Sequence, residues 1–386
     1  MTDGRPGGPA RNAAWLGCRD AWQQLETPAL CVDLGALEYN IMHLARWARG
    51  VGVALRPHAK THKCEAIARL QRAAGAIGMS AATLAEAEQM VAADVGCVLL
   101  TSPVVGAAKL RRLAALHARA AGRLLVVTDS GDSVRELEAL AAAAGRPLGV
   151  LVEHHAGQQR SGCETRTEID SLVAGIAASP NLRLEGLQHY FGHLQHLSDA
   201  TERRARVLAE VSAARTIVEG LRRGGVPLAI VSGAGTGTLV AAVEADFYTE
   251  LQPGSYVFMD TQYEDALATD RTLEFHPSLF VAARVTSVQS AARRGYVTVD
   301  AGQKALAIDA PGPRPRGVAH VGERYAFSGD EYGHWFWRPG SVAPERGERI
   351  DLLPGHCDPT VALHDEYHVF STGELVAIWP IGARGY

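Results

Sequence analysis

From about residue 50 to residue 260, short apolar runs alternate with longer amphipathic ones. Val53–Arg56, Ile77–Ser80, Val98–Thr101, Leu124–Thr128, Leu148–Glu153, Leu184–Tyr190, Leu228–Ser232 and Phe247–Leu251 read as strands. The stretches between them, such as Thr83–Met90, Ala107–Leu113 and Thr201–Leu221, are rich in Ala, Leu, Arg and Glu and read as helices. Eight strand–helix units predict an α/β fold, a (β/α)8 TIM-type barrel, with a doubly wound sheet as the rival. After about residue 275 the long helical runs vanish. Ser278–Gln289, Arg294–Asp300, Arg324–Ser328, Glu348–Leu353 and Leu375–Pro380 are β-like, and Pro311-Gly312-Pro313-Arg314-Pro315 breaks the chain. This predicts a C-terminal all-β domain of roughly 110 residues. The expected division is a tail or lead-in over 1–23, a barrel over 24–272 and a β domain over 273–386.

Composition narrows the function classes. A net charge of −4 over 386 residues gives no electrostatic case for nucleic acid or a membrane surface. No apolar stretch is long enough to span a bilayer, and the first nine residues lack the apolar core of a signal peptide. Cys18, Cys31, Cys64, Cys97, Cys163 and Cys357 are scattered without CxxC spacing, which fits reduced thiols in a cytoplasm rather than a disulfide framework.

Candidate chemistry sits at the predicted strand ends, where barrels place their sites. After the first comes Arg56-Pro57-His58-Ala59-Lys60-Thr61-His62-Lys63. A lysine among cations has a lowered pKa and can attack a carbonyl; the plain alternative is a solvated basic loop. After the seventh comes Ser232-Gly233-Ala234-Gly235-Thr236-Gly237-Thr238, and after the eighth Gln252-Pro253-Gly254-Ser255-Tyr256. Glycines and hydroxyls at these two places suit a phosphate, although glycine also marks ordinary turns. Gln158-Gln159-Arg160-Ser161-Gly162 offers Arg160 to an anionic oxygen. Tyr190, His193 and His196 follow the sixth strand, and one histidine there suits a general base. His154 and His155 are expected to face opposite ways, one toward the site and one into packing. In the β domain, His356 and Asp358 alternate and, on an extended segment, share a face that suits a divalent ion, with Cys357 opposite.

Together these residues resemble the fold-type III pyridoxal-phosphate enzymes, in the branch holding D-threonine aldolase and D-serine dehydratase. The resemblance runs from Thr27-Pro28-Ala29 to Ala383-Arg384-Gly385 and is most specific in the segment around Lys60. It implies that Lys60 holds the aldehyde of pyridoxal 5'-phosphate and that Arg160 binds its phenolic oxygen. It also implies that Tyr190 neighbours the site and that Gly235, Thr236, Gly254, Ser255 and Tyr256 lie in the phosphate loops. His196 matches the proposed base. His356 and Asp358 match a metal pair (Mn2+, Mg2+, Co2+ or Zn2+) whose second member is more often cysteine in the dehydratases, which favours the aldolase branch. Phe191, the pair His154-His155 and Ala82 depart from the family pattern at positions expected to line the substrate pocket.

The implied activity is aldol cleavage, or formation, of D-configured β-hydroxy-α-amino acids, giving glycine or a related amino acid and an aldehyde. The implied enzyme is a homodimeric lyase with a small amino-acid substrate. The alternatives are a D-serine or D-3-hydroxyaspartate type of dehydratase, giving a keto acid and ammonia, and a non-catalytic carrier of the cofactor. A racemase would leave the His356/Asp358 pair without a role.

Overall fold

The computed structural model describes residues 10–120, 123–270, 272–288, 295–316, 323–338, 340 and 342–385. They form two compact units. One gathers the chain up to Asn40, Val257–Glu264 and Phe275–Ile381; the other gathers Ile41–Tyr256, Asp265–Glu274 and Gly382–Tyr386.

The second unit is the parallel barrel. Its strands are β2 (Ala54–Leu55), β3 (Gly78–Ala81), β4 (Cys97–Leu100), β5 (Leu124–Thr128), β6 (Leu148–His154), β7 (Leu182–His189), β8 (Ile230–Gly233) and β9 (Glu250–Leu251). They lie in the order β2-β9-β8-β7-β6-β5-β4-β3. The two ends of that order meet through backbone bonds from Ile77 N–H to Leu55 O and from Ala59 N–H to Ser80 O, each 2.8 Å, so the sheet closes. All eight predicted strands are present, and the doubly wound alternative is excluded.

Side chains alternate across a strand, so every second residue of each barrel strand faces the bore. Leu99, Leu125, Val127 and Leu151 form one buried apolar cluster, with Cys97 and Ile230 packed against it. Continuing the same parity toward the C-terminal ends gives Thr101, Glu153, Gln188, Ser232, Glu250 and Gln252, all buried. The bore therefore changes from apolar to polar within two residues, at the end where the predicted site residues lie.

The first unit is built on a nine-stranded sheet. Within it β1 (Ala29–Asp33) is antiparallel to β10 (Leu279–Ser287) and parallel to β16 (Glu366–Ser371). The remaining strands are β11 (Val297–Val299), β12 (Arg314–Pro315), β13 (Arg324–Phe327), β14 (Gly333–Phe336), β15 (Arg349–Leu353) and β17 (Glu374–Pro380). A core of Ala21, Leu25, Ala29, Cys31, Phe280, Ala282, Phe370 and Leu375 covers one face, with Trp15 and Trp22 packed on it.

Residues 24–40 were expected in the barrel, but they belong to this β-rich unit. Ala29-Leu30-Cys31-Val32 is a continuous apolar run buried throughout, and such a run reads the same in either kind of sheet. The strands β14 (Gly-His-Trp-Phe) and β16 (Glu-Tyr-His-Val-Phe-Ser) went unread because polar residues interrupt their apolar runs. The proline-rich break holds a two-residue strand, Arg314–Pro315, at the sheet edge, where proline is tolerated. The nine-residue tail and residues 289–294, expected at one strand's end and the next one's start, lie outside the described residues.

Candidate active site

Lys60 is half-buried in the loop after β2. Its N–H donates to His58 Nδ1 at 3.3 Å, and His58 Nε2 lies 3.2 Å from Thr101 Oγ1. Nδ1 is thus the acceptor and Nε2 carries the proton. Thr101 Oγ1 in turn donates to Ala81 O at 3.0 Å. Lys63 Nζ donates to Lys60 O, with Lys63 in the left-handed region at φ 49°. His58 N–H to Pro253 O, 3.0 Å, ties this loop to the one after β9.

Those two loops touch closely at Gly254. A Cβ there would lie 2.4 Å from Thr61 Oγ1, so only glycine fits without displacing that hydroxyl. The loop after β8 is braced by Gln195. Gln195 Oε1 accepts from Gly237 N–H and its Nε2 donates to Thr238 Oγ1, both at 3.0 Å. A Cβ at Gly235 would sit 2.7 Å from Gln195 Oε1. Ala234 is held at φ 57°, a strained conformation for a residue with a Cβ. The two glycine loops are joined where Tyr256 N–H donates to Thr236 Oγ1 at 3.1 Å. The Tyr256 phenol is turned to Gln71, whose Nε2 donates to it at 3.0 Å, and burial pushes its pKa well up, so it stays neutral.

Arg160 sits at the tip of the loop after β6, with its guanidinium carbon 5.9 Å from the Tyr190 ring centroid. His155 braces that loop, its ring nitrogens lying 3.4 and 3.0 Å from the amides of Gly157 and Gln159. His154 turns the other way and stacks on His189 at 5.1 Å between centroids. Burial, followed by the neighbouring imidazole, holds His154 down at about 4 and His189 at about 3. His189 Nδ1 lies 2.8 Å from the Tyr248 hydroxyl. Phe191, expected at the substrate pocket, is fully buried edge-on against His189 and Tyr248. The Ala82 N–H is taken by Glu86 Oε2 at 2.7 Å. His196 is half-buried and follows Gln195 in the chain, whereas His193 is exposed.

In the β-rich unit the expected extended His-Cys-Asp segment is a helix start. His356 is the N-cap residue, at φ −141° and ψ 122°, of the helix Cys357–Ala362. Pro359 in the first turn explains it, since the amide it lacks would be unpaired there, and Asp358 suits the positive end of the turn. Cys357 N–H donates to Asp260 Oδ2 at 2.9 Å, and Thr360 Oγ1 to His356 O at 2.7 Å. Burial raises the Asp260 carboxyl. Among the described residues no group of three or more His, Cys, Asp or Glu is arranged to hold an ion. His356 Nδ1 lies 2.8 Å from Asp309 Oδ2, a contact that fixes the ring's orientation.

The alanine racemase N-terminal domain family matches residues 32–262, and the putative serine dehydratase domain family matches residues 278–370. A D-threonine aldolase of Arthrobacter sp. is 36% identical over 367 residues, 95% of each chain. A 3-hydroxy-D-aspartate aldolase of Paracoccus denitrificans (strain Pd 1222) is 33% identical over 368 residues, covering 94% of this chain and 93% of that one. The crystal structure of D-threonine aldolase from Filomicrobium marinum superposes with a TM-score of 0.88 at 39% identity, covering 94% and 96%. The chain belongs to the fold-type III pyridoxal-phosphate enzymes, in the D-threonine aldolase and D-serine dehydratase family.

The residues present fit that family's cofactor. Thr61 Oγ1, next to Lys60 and against Gly254, is buried with no hydrogen-bond partner. The amides of Thr236 and Ser255 open short helical turns and have no acceptor within them. Spare donors between two glycine loops suit a phosphate group. Sequence reasoning missed Thr61, Glu153, Gln188, Gln195, Gln252 and the buried Arg56–Glu250 pair. For Glu153, Gln188 and Gln252 the signal was parity: each continues the inward-facing register at the C-terminal end of a barrel strand.

Proposed function

We propose that this chain is a pyridoxal-phosphate- and divalent-metal-dependent lyase that cleaves, or forms, D-configured β-hydroxy-α-amino acids by aldol chemistry. Full-length similarity to two aldolases of such substrates is the observation that carries the reading. Lys60 holds the cofactor's aldehyde, Arg160 its phenolic oxygen beside Tyr190, and Gly235, Thr236, Gly254, Ser255 and Tyr256 surround its phosphate. Bound there, the cofactor is the sink for the electrons of the Cα–Cβ bond. His196 takes the proton of the substrate's β-hydroxyl, the C–O bond becomes the carbonyl of the leaving aldehyde, and Cα gains a proton to give glycine. His356 and Asp358 hold an ion (Mn2+, Mg2+, Co2+ or Zn2+) whose chemistry is to acidify that hydroxyl. We also read the enzyme as a cytoplasmic homodimer. Among the described residues no helix is long and apolar enough to cross a membrane.

The test is a product assay on D-threonine and D-3-hydroxyaspartate. Glycine with acetaldehyde or glyoxylate supports the aldolase reading. A keto acid with ammonia would establish the dehydratase instead, a reading that the match of residues 278–370 to a serine dehydratase domain keeps specific. Bound cofactor without turnover of either substrate would make the chain a carrier.

A further inference from the structure

Glu153 is a carboxylate at the mouth of the bore to which the reaction above gives no role. It is the last inward-facing residue of β6, its side chain 6% exposed. Its surroundings compensate it poorly. Gln188 Nε2 approaches Oε1 at 3.3 Å, Arg160 Nη2 lies 3.9 Å from the same oxygen, and the Asp129 carboxylate adds repulsion. Burial raises the Glu153 carboxyl, with Ser161, Arg160 and Gln188 opposing. A buried carboxylate so placed is favoured in its charged form by a nearby cation.

The cation is Arg160, and the loop carrying it is stapled onto β6. His155 N–H donates to Cys163 O at 2.9 Å and Cys163 N–H to Glu153 O at 2.8 Å, closing the loop at its base. Gly162 N–H donates to Asp129 Oδ2 at 3.2 Å, and Gln159, just before Arg160, is held at φ 54°. The arginine side chain is 52% exposed, between Glu153 on one side and the Tyr190 ring on the other. Exposed ion pairs contribute little to stability, so this pair is of interest for position.

The carboxylate is also joined to the lysine loop. Gln188 Nε2, which reaches Glu153, donates to Thr101 O at 2.9 Å, and the Thr101 hydroxyl meets His58, whose Nδ1 receives the Lys60 amide. Gln252 Nε2 bonds Gln188 Oε1 at 3.4 Å and Ser232 Oγ at 2.7 Å, drawing the β8 and β9 ends into the same network.

We propose that Glu153 is the positioning residue for Arg160: anchored on Gln188, its carboxylate sets the guanidinium where it meets the cofactor and fixes its spacing from Lys60. This rests on the reading that Arg160 contacts the cofactor. A double-mutant cycle tests both on the holoenzyme, with cofactor affinity and the cofactor's visible spectrum as readouts. Glu153→Gln keeps the shape and removes the charge. It is expected to weaken cofactor retention roughly tenfold and alter the spectrum, while in the Arg160→Ala background it adds little, as for residues acting through one another. Glu153→Asp should recover part of the loss. Equal effects of Glu153→Gln in both backgrounds, or no effect on the parent, overturn the proposal. If Arg160→Ala itself leaves affinity and spectrum unchanged, the reading beneath it fails instead. Should Glu153→Gln fail to fold, Glu153→Asp carries the same cycle: it keeps the charge but withdraws it from Arg160, and its effect must vanish without Arg160.

Discussion

Arg56 and Glu250 form a buried ion pair across β2 and β9, and breaking it should cost more than any surface change. Arg56 Nε and Nη2 donate to the two Glu250 oxygens, both at 2.8 Å, with each side chain 3% exposed. Nη1 donates to Cys97 O at 2.8 Å, and Ser232 Oγ donates to Glu250 Oε1 at 2.6 Å, so nearly every polar atom is engaged. Burial pulls the Arg56 pKa down, and the bonds from Glu250 more than reverse that, leaving it above its ordinary value. Replacing Glu250 by Gln leaves the guanidinium buried without its counter-charge. Removing one member of a buried pair costs about 3–5 kcal/mol. For a unit of this size that is a fall in apparent Tm on the order of 10 °C. Arg56→Met with Glu250→Leu removes both charges and should recover most of the loss, since apolar replacements of buried pairs are often neutral. Urea unfolding of the parent and the two variants, followed by near-UV dichroism, is the assay. A Glu250→Gln variant within about 1 kcal/mol of the parent would refute the reasoning, because that is the range of a solvated pair.

Gly254→Ala places a methyl 2.4 Å from Thr61 Oγ1, so it should separate the two loops and weaken cofactor binding at least tenfold, read by titration of the apoenzyme. Lys60→Ala should fold normally and lose the visible absorbance of lysine-bound cofactor, since no other amine is read as holding the aldehyde. Folding holds His154 and His189 neutral, at about 4 and about 3, whereas unfolded imidazoles take up protons below about 6.5. The unfolded state then binds more protons, so stability should decline as pH falls from 6.5 toward 4, by a few kcal/mol in urea titrations. His154→Leu should flatten that slope. Chelation should abolish aldol cleavage and added Mn2+ restore it, with His356→Ala insensitive to the addition; activity indifferent to both treatments would remove the metal from the scheme.

The barrel was legible because its strands are short apolar runs and its helices long amphipathic ones, and the two periods differ. The Lys60, Arg160 and glycine loops were legible because each follows a strand end. What stayed hidden is contact chemistry across the sheet. Nothing in the sequence pairs Arg56 with Glu250, 194 residues away. Gln195 looked like a spacer between histidines, yet it holds the β8 loop. At His356 the two-residue alternation suggested a strand, but Pro359 three positions on was the stronger signal, and it marks a helix start. Residues 29–33 misled for the opposite reason: a run buried on both faces carries no period to say which sheet it joins.

The change of character along the bore explains why so much of the site lies within two residues of apolar packing. On β6, Leu151 belongs to the apolar cluster and Glu153, the next inward-facing residue, to the polar network. The same step separates Leu99 from Thr101 and Ile230 from Ser232. Side chains packed at crystal-like density beneath the polar layer leave it little room to shift. The hydrogen bonds above then run from strand to strand, Glu250 to Ser232 to Gln252 to Gln188 to Glu153, and each fixes its neighbour's direction. A substitution low in the bore should therefore reach the Lys60 and Arg160 loops without touching them. Leu151→Ala leaves a cavity worth about 2–5 kcal/mol and removes the support under Glu153. Its effect on cofactor affinity should exceed that of an equally destabilising Leu37→Ala, in the β-rich unit at the start of the helix Leu34–Val51. Equal affinities in the two variants at matched stability would show that the polar layer holds its geometry without the packing below.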